Sequence, residues 1–151
     1  MKARVAVLAL TLVAGGATAK TLTLECGELN GLRFSVDVHG KTQTGPDGFA
    51  GSHPTIVWPI GPSGTQAMIS MSDASGVPES DPATAIHVTN ESVTWIGLQS
   101  KATEMWTYVA TNHILLYSQH SPRSGTDLSE LTPGSGAFSD VMVTTCREGV
   151  K

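Results

Sequence analysis

Along most of the chain, apolar and polar residues alternate one for one, the period of an extended strand with one dry and one wet face. Leu32 to Val38 does so without exception, setting Leu32, Phe34, Val36 and Val38 against Arg33, Ser35 and Asp37. Thr21 to Cys26 alternates likewise and gives Leu22, Leu24 and Cys26 one face, expected to point inward. Further short strands are expected at Thr55 to Trp58, Gln66 to Ser72, Thr84 to Thr89, Ser92 to Leu98, Thr103 to Thr111, Ile114 to Gln119 and Ala137 to Cys146. Turn chemistry joins them: Pro62-Ser63-Gly64, then Asn90-Glu91, where Asn90 can take a positive φ, then Asn112-His113. In the last segment, an inward Cys146 carries Phe138, Asp140, Met142 and Thr144 with it and turns Val141 and Val143 outward, unless a bulge shifts the phase. Ser92 to Leu98 is apolar on both faces. Long helices are disfavoured, because Ser, Thr, Gly and Pro make up about 40 per cent of residues 20–151. The fold class expected is all-β, a small antiparallel meander of about eight strands. A closed barrel is preferred to a sandwich, because closure removes sheet edges. Trp58, Trp95, Trp106, Tyr108 and Tyr117 are expected to plug its core.

The start of the chain breaks this pattern. Lys2 and Arg4 precede a run from Val5 to Ala14 in which only Thr11 is polar, and Ala17-Thr18-Ala19 follows as a small-residue cleavage site. Residues 1–19 thus read as a signal peptide, leaving residues 20–151 as a single all-β domain, periplasmic or secreted. A run of ten residues is too short for a transmembrane helix, which needs about 20, and no second run of that kind follows. The mature part carries seven Lys and Arg against thirteen Asp and Glu. An acidic balance of that size argues against nucleic acid as a partner, since such binding rests on clustered cations.

Export gives the two cysteines meaning. Cys26 and Cys146 stand near the two ends of the mature chain, and in an oxidising compartment they are expected to form a structural disulfide between first and last strands. That also fits a barrel, in which those strands are neighbours. Two distant cysteines without a His pair at ligand spacing make no structural zinc site, and neither a metal nor a cofactor is expected.

Candidate chemistry is sparse. The sequence has no Gly-x-Ser-x-Gly, Ser-x-x-Lys or His-Glu-x-x-His. The segment His39 to His53 reads as a Gly-rich loop holding Asp47 and the aromatic Phe49, and His39, Asp47, Phe49 and His53 are the candidate binding residues. An aromatic on a loop carried by a rigid scaffold can anchor a partner. A second long loop, His120 to Gly136, is the other place for recognition. His87 is expected to face outward. His113 and His120, at opposite ends of one strand, are too far apart to share a metal. Asp73, Glu79 and Asp81 read as an acidic loop without the order of a calcium site. Asn90-Glu91-Ser92 has the form of a glycosylation sequon.

The signal peptide followed by a strand meander with a cysteine near each end resembles the small exported β-barrel proteins of Gram-negative bacteria, among them periplasmic inhibitors of lysozyme. In the inhibitors of C-type lysozyme, the recognition loop carries Ser-Gly followed closely by Tyr. Ser135-Gly136-Ala137-Phe138 is the nearest stretch here, with Phe at a different spacing, so the resemblance assigns no functional residue. The function expected is a non-enzymatic exported binding protein that recognises a protein partner or small ligand through loops at one barrel end. The alternatives are an enzyme with a His and Asp site assembled at strand ends, and a structural subunit of an envelope assembly. A His, carboxylate and hydroxyl within hydrogen-bond reach would mark the enzyme, and an exposed apolar strand face the subunit.

Overall fold

The computed structural model describes residues 20–36, 39–60, 64–72, 78–98, 102–121 and 137–150. The expected signal peptide, Asp73, the Pro62-Ser63 part of the first turn and residues 122–136 lie outside them. Ten strands run through the described part: β1 (Lys20–Cys26), β2 (Leu29–Val36), β3 (Thr42–Phe49), β4 (Thr55–Ile60), β5 (Gln66–Ser72), β6 (Pro78–Val88), β7 (Ser92–Leu98), β8 (Thr103–Val109), β9 (Ile114–Ser121) and β10 (Ala137–Val150). All pairings are antiparallel. β1, β4, β5, β6, β7, β8, β9 and β10 follow one another around a closed barrel, and β10 returns to β1. The other two strands extend this sheet, β2 lying against the first half of β10 and β3 against β2.

The ten strands are the meander of eight with its first two members each broken once. Only Gly27 and Glu28 separate β1 from β2, and both strands lie along β10, with Cys26 opposite Cys146 and Asn30 opposite Val143. On their other edge, β3 and β4 run back in the same way, β3 against β2 and β4 against β1. The two breaks are tied to each other. Gly51 N–H donates to Glu28 Oε1 at 2.9 Å, and Cys26 N–H donates to the Pro54 carbonyl at 3.0 Å.

That break changes the phase of everything after it. Leu22, Leu24 and Cys26 are buried, and the next buried residue is Leu29, an odd step of three. Gly31 and Arg33 therefore take the inward phase, whereas Leu32 and Phe34 are 48 % and 45 % exposed. The clearest alternation in the sequence is thus turned over: its apolar face looks out and its cation looks in. Arg33 is accommodated because Asp140, fully buried directly opposite on β10, receives it through two hydrogen bonds of 2.9 and 3.1 Å. Asp47 on β3 lies 2.8 Å from the same guanidinium, which also stacks 4.7 Å over the Phe138 ring.

The barrel interior is built in rows across the strands. Gly31, Met142, Tyr117, Trp106, Trp95 and Ala85 stand side by side from β2 to β6, so the expected aromatics do fill the core. Trp95 meets Trp58 edge-on at 5.7 Å, and Trp106 lies 4.2 Å from Tyr117. Gly31 must be glycine, since a Cβ there would sit on the Val141 carbonyl. The cysteines are bonded to each other across β1 and β10. Asp140, Met142, Thr144 and Cys146 are buried and Val141 and Val143 exposed, the phase expected without a bulge in β10.

Three expectations are corrected. The segment His39 to His53 is not one loop, because β3 occupies its middle. Its Gly and Pro disguise it, but this strand pairs only with β2, and an edge tolerates Gly45 and Pro46. The acidic loop is also partly strand: Glu79 and Asp81 belong to β6, which starts six residues before Thr84. That early part pairs with β5 alone, and the free edge accepts Pro78 and Pro82. Finally, among the described non-glycine residues the positive φ belongs to His113, at 55°, and not to Asn90.

Candidate functional site

At the end of the barrel where β8 begins, the β2–β3 hairpin and the ends of β9 and β10 enclose an open cavity of about 510 Å³. One wall is a row in strict register: Thr103 on β8, His120 on β9, Ser139 on β10, Phe34 on β2 and Thr44 on β3. This row exists because of the phase change. Had Leu32 and Phe34 pointed inward, Arg33 would stand here, and the groove would be cationic. Instead Arg33 lies behind the wall, neutralised by Asp140 and Asp47, and Phe34 offers an exposed aromatic ring. Ser35, Val36, Thr42, Gln43, Ser121, Ala137 and Phe138 complete the lining. The lining residues are uncharged apart from what His120 can carry.

His120 Nδ1 and Ser139 Oγ form a hydrogen bond of 2.7 Å. This gives two of the three groups that would mark an enzyme. Among the described residues no carboxylate hydrogen-bonds to His120, and the nearby acids, Asp140 and Asp47, are both taken by Arg33. A pair of this kind orients two polar groups in a binding surface without needing further chemistry.

The sequence candidates are distributed differently from expectation. His39 and His53 are exposed and flank β3 at its two ends, ~25 Å apart at the rise of an extended chain. Asp47 joins neither and pairs with Arg33. Phe49 closes β3 opposite Leu29. The four are therefore not gathered into one site. What the two segments singled out for recognition do share is the groove, to which the first contributes Thr42, Gln43 and Thr44 and the second His120 and Ser121. Phe34 and Ser139 were missed, because Phe34 read as core and Ser139 carries no signal of its own. His87 is exposed, as expected. Among the described residues, no three of His, Cys, Asp and Glu come together in a way that could hold a metal ion, and no helix is long and apolar enough to cross a membrane.

A second polar cluster lies inside the same barrel end. Glu104 is 6 % exposed and accepts a hydrogen bond of 3.0 Å from the Tyr117 hydroxyl. Burial raises the Glu104 pKa above the usual carboxylate range, with hydrogen bonds from Tyr117 and Trp106 opposing and Asp81 and Glu79 adding to the rise. Burial likewise pushes Tyr117 far up, so its hydroxyl stays a donor. The space beside Glu104, about 50 Å³, is water-sized rather than ligand-sized. Comparison of the chain with protein-family models, with curated proteins and with solved structures returns no match.

Proposed function

We propose that this protein is an exported binding module that holds an uncharged ligand, or an uncharged segment of a protein partner, in the groove between the β2–β3 hairpin and the ends of β9 and β10. The observation that carries this reading is that Thr42, Gln43 and Thr44 from one of the segments expected to carry recognition, and His120 and Ser121 from the start of the other, line one cavity, whose size falls within the ordinary range for ligand sites. Its chemistry fits: an exposed aromatic ring for stacking, flanked by hydroxyl and amide groups for orientation, with no unpaired charge to be desolvated. The disulfide is compatible with a location outside the cytoplasm, and the leader expected at residues 1–19 supports the same route.

Capture from envelope extract, with the mature chain immobilised, tests the proposal. Phe34→Glu places a charge in the groove, and Leu98→Glu places the same charge on β7, at a residue 79 % exposed that does not line the groove. A partner held by wild type and by L98E but lost with F34E supports the groove. Equal recovery by all three argues against it.

A second reading, an envelope-assembly subunit, has one observation in its favour. Leu32, Met105, Leu116, Val141 and Val143, each 40–51 % exposed, share the outer face of β8, β9, β10 and β2 beside Phe34. Self-association of the mature chain in sedimentation, abolished by Val141→Lys, would favour it.

A further inference from the structure

The opposite mouth of the barrel, where β8 ends and β7 begins, opens on a separate cavity of about 360 Å³. Its walls are Leu22, Trp58, Val93, Tyr108 and Ala110, and the acid that lines it is Glu148. Two bonds hold the aromatic walls in place. Trp58 Nε1 donates to the Gly64 carbonyl at 2.6 Å, and the Tyr108 hydroxyl lies 2.8 Å from His113 Nδ1. Burial, together with the nearby Glu148 carboxylate, pushes the Tyr108 pKa up to about 12.

Glu148 keeps the inward phase of Cys146, whereas Arg147 stands opposite Glu25 in the alternate, outward phase. Among the described residues no ion pair is formed by Glu148, and those of Arg33 lie at the other end of the barrel. A carboxylate at the edge of an apolar cavity selects its ligand by sign. Covering it with a neutral or anionic molecule removes its water and returns nothing, whereas an ammonium group replaces the water with an ion pair. The rings of Trp58 and Tyr108 add attraction for a cation.

We infer that this mouth is a binding site for a small organic amine: an apolar body packed on Trp58, Val93 and Ala110, with its ammonium group against Glu148. The site is independent of the groove and does not rest on the function proposed for it.

Three probes of one shape separate the terms: 2-phenylethylamine, 2-phenylethanol and 3-phenylpropanoate. They are titrated into the disulfide-intact mature chain at neutral pH, followed by amide chemical shifts and calorimetry. The amine is expected to move the signals of Val93, Tyr108, Ala110 and Glu148 and to bind at least tenfold tighter than the alcohol, with the carboxylate weakest. Glu148→Gln, at an exposed residue, is expected to lower the amine to the alcohol's affinity without changing the melting temperature. Equal affinity for amine and alcohol, an amine affinity unchanged in E148Q, or shifts confined to other residues would overturn the inference.

Discussion

Arg33 decides more than any other single residue. Its side chain faces inward yet stays partly solvated, and its two carboxylate partners differ: Asp140 is wholly buried and Asp47 is not. Removing the cation leaves Asp140 without its charge partner. Arg33→Ala is expected to cost about 3 kcal/mol or more in chemical denaturation. Adding Asp140→Asn should recover part of that loss, a coupling that a double-mutant cycle measures. Glu104 carries a pH signature. Its pKa is raised by folding, so the fold prefers the protonated form. Stability from this group is full below the ordinary Glu pKa of 4.5 and declines as pH rises through the raised value. Glu104→Gln should therefore melt higher than wild type at pH 8, with the difference closing at pH 4. A variant that melts lower at both pH values would refute that assignment.

At the scale of elements, the pattern of alternation was a good guide to where strands lie and a poor one to which way they face. β5 and β7 match their expected limits, Gln66–Ser72 and Ser92–Leu98. The phase of β1 was legible from Leu22, Leu24 and Cys26, whereas that of β10 stayed open in the sequence, because a bulge could have shifted it. The phase of β2 was not, since nothing in Gly27-Glu28 announces a slip of one residue, and a cation flanked by apolar neighbours reads as a wet face. Only the distant Asp140 makes an inward Arg33 affordable. β3 was hidden for another reason. An edge strand buries little, so its sequence carries turn-type residues and no apolar stripe. The candidate site inherited both errors: Thr42, Gln43, Thr44 and His120 came from segments already singled out, whereas Phe34 was placed in the core. The tight contact of β2 with β10 gives a sharp expectation. Gly31→Ala must separate the two strands at Val141 and is expected to cost about 3 kcal/mol, read as a fall in the denaturation midpoint. An Ala at Gly45, where nothing lies within 4 Å of the added Cβ, should leave that midpoint nearly unmoved.

For the whole molecule, the fold class, the closed barrel and the disulfide follow from strand count and cysteine placement together. The bond joins residues 120 apart, and loop-closure arithmetic for that span gives a stabilisation of about 5 kcal/mol. Cys26→Ala with Cys146→Ala, or reduction of the wild type, should lower the unfolding free energy toward that extent, measured in urea. A loss under about 1 kcal/mol would mean that the β1–β10 seam is held by its ladder and by the packing of Leu24, Leu29 and Met142 alone. Closure also explains why both proposed sites lie at the barrel ends. The inside is filled by Trp95, Trp106, Tyr108 and Tyr117, so no ligand passes through the barrel, and the groove and the far mouth are separate places.

A fragment screen by amide chemical-shift mapping on the labelled, disulfide-intact mature chain tests the groove most directly, using neutral aromatic and polyhydroxylated fragments. The proposed site predicts that their shifts concentrate on Phe34, Gln43, Thr44, His120 and Ser139 and vanish in Phe34→Glu. Fragments that leave those five signals still while moving others would contradict it.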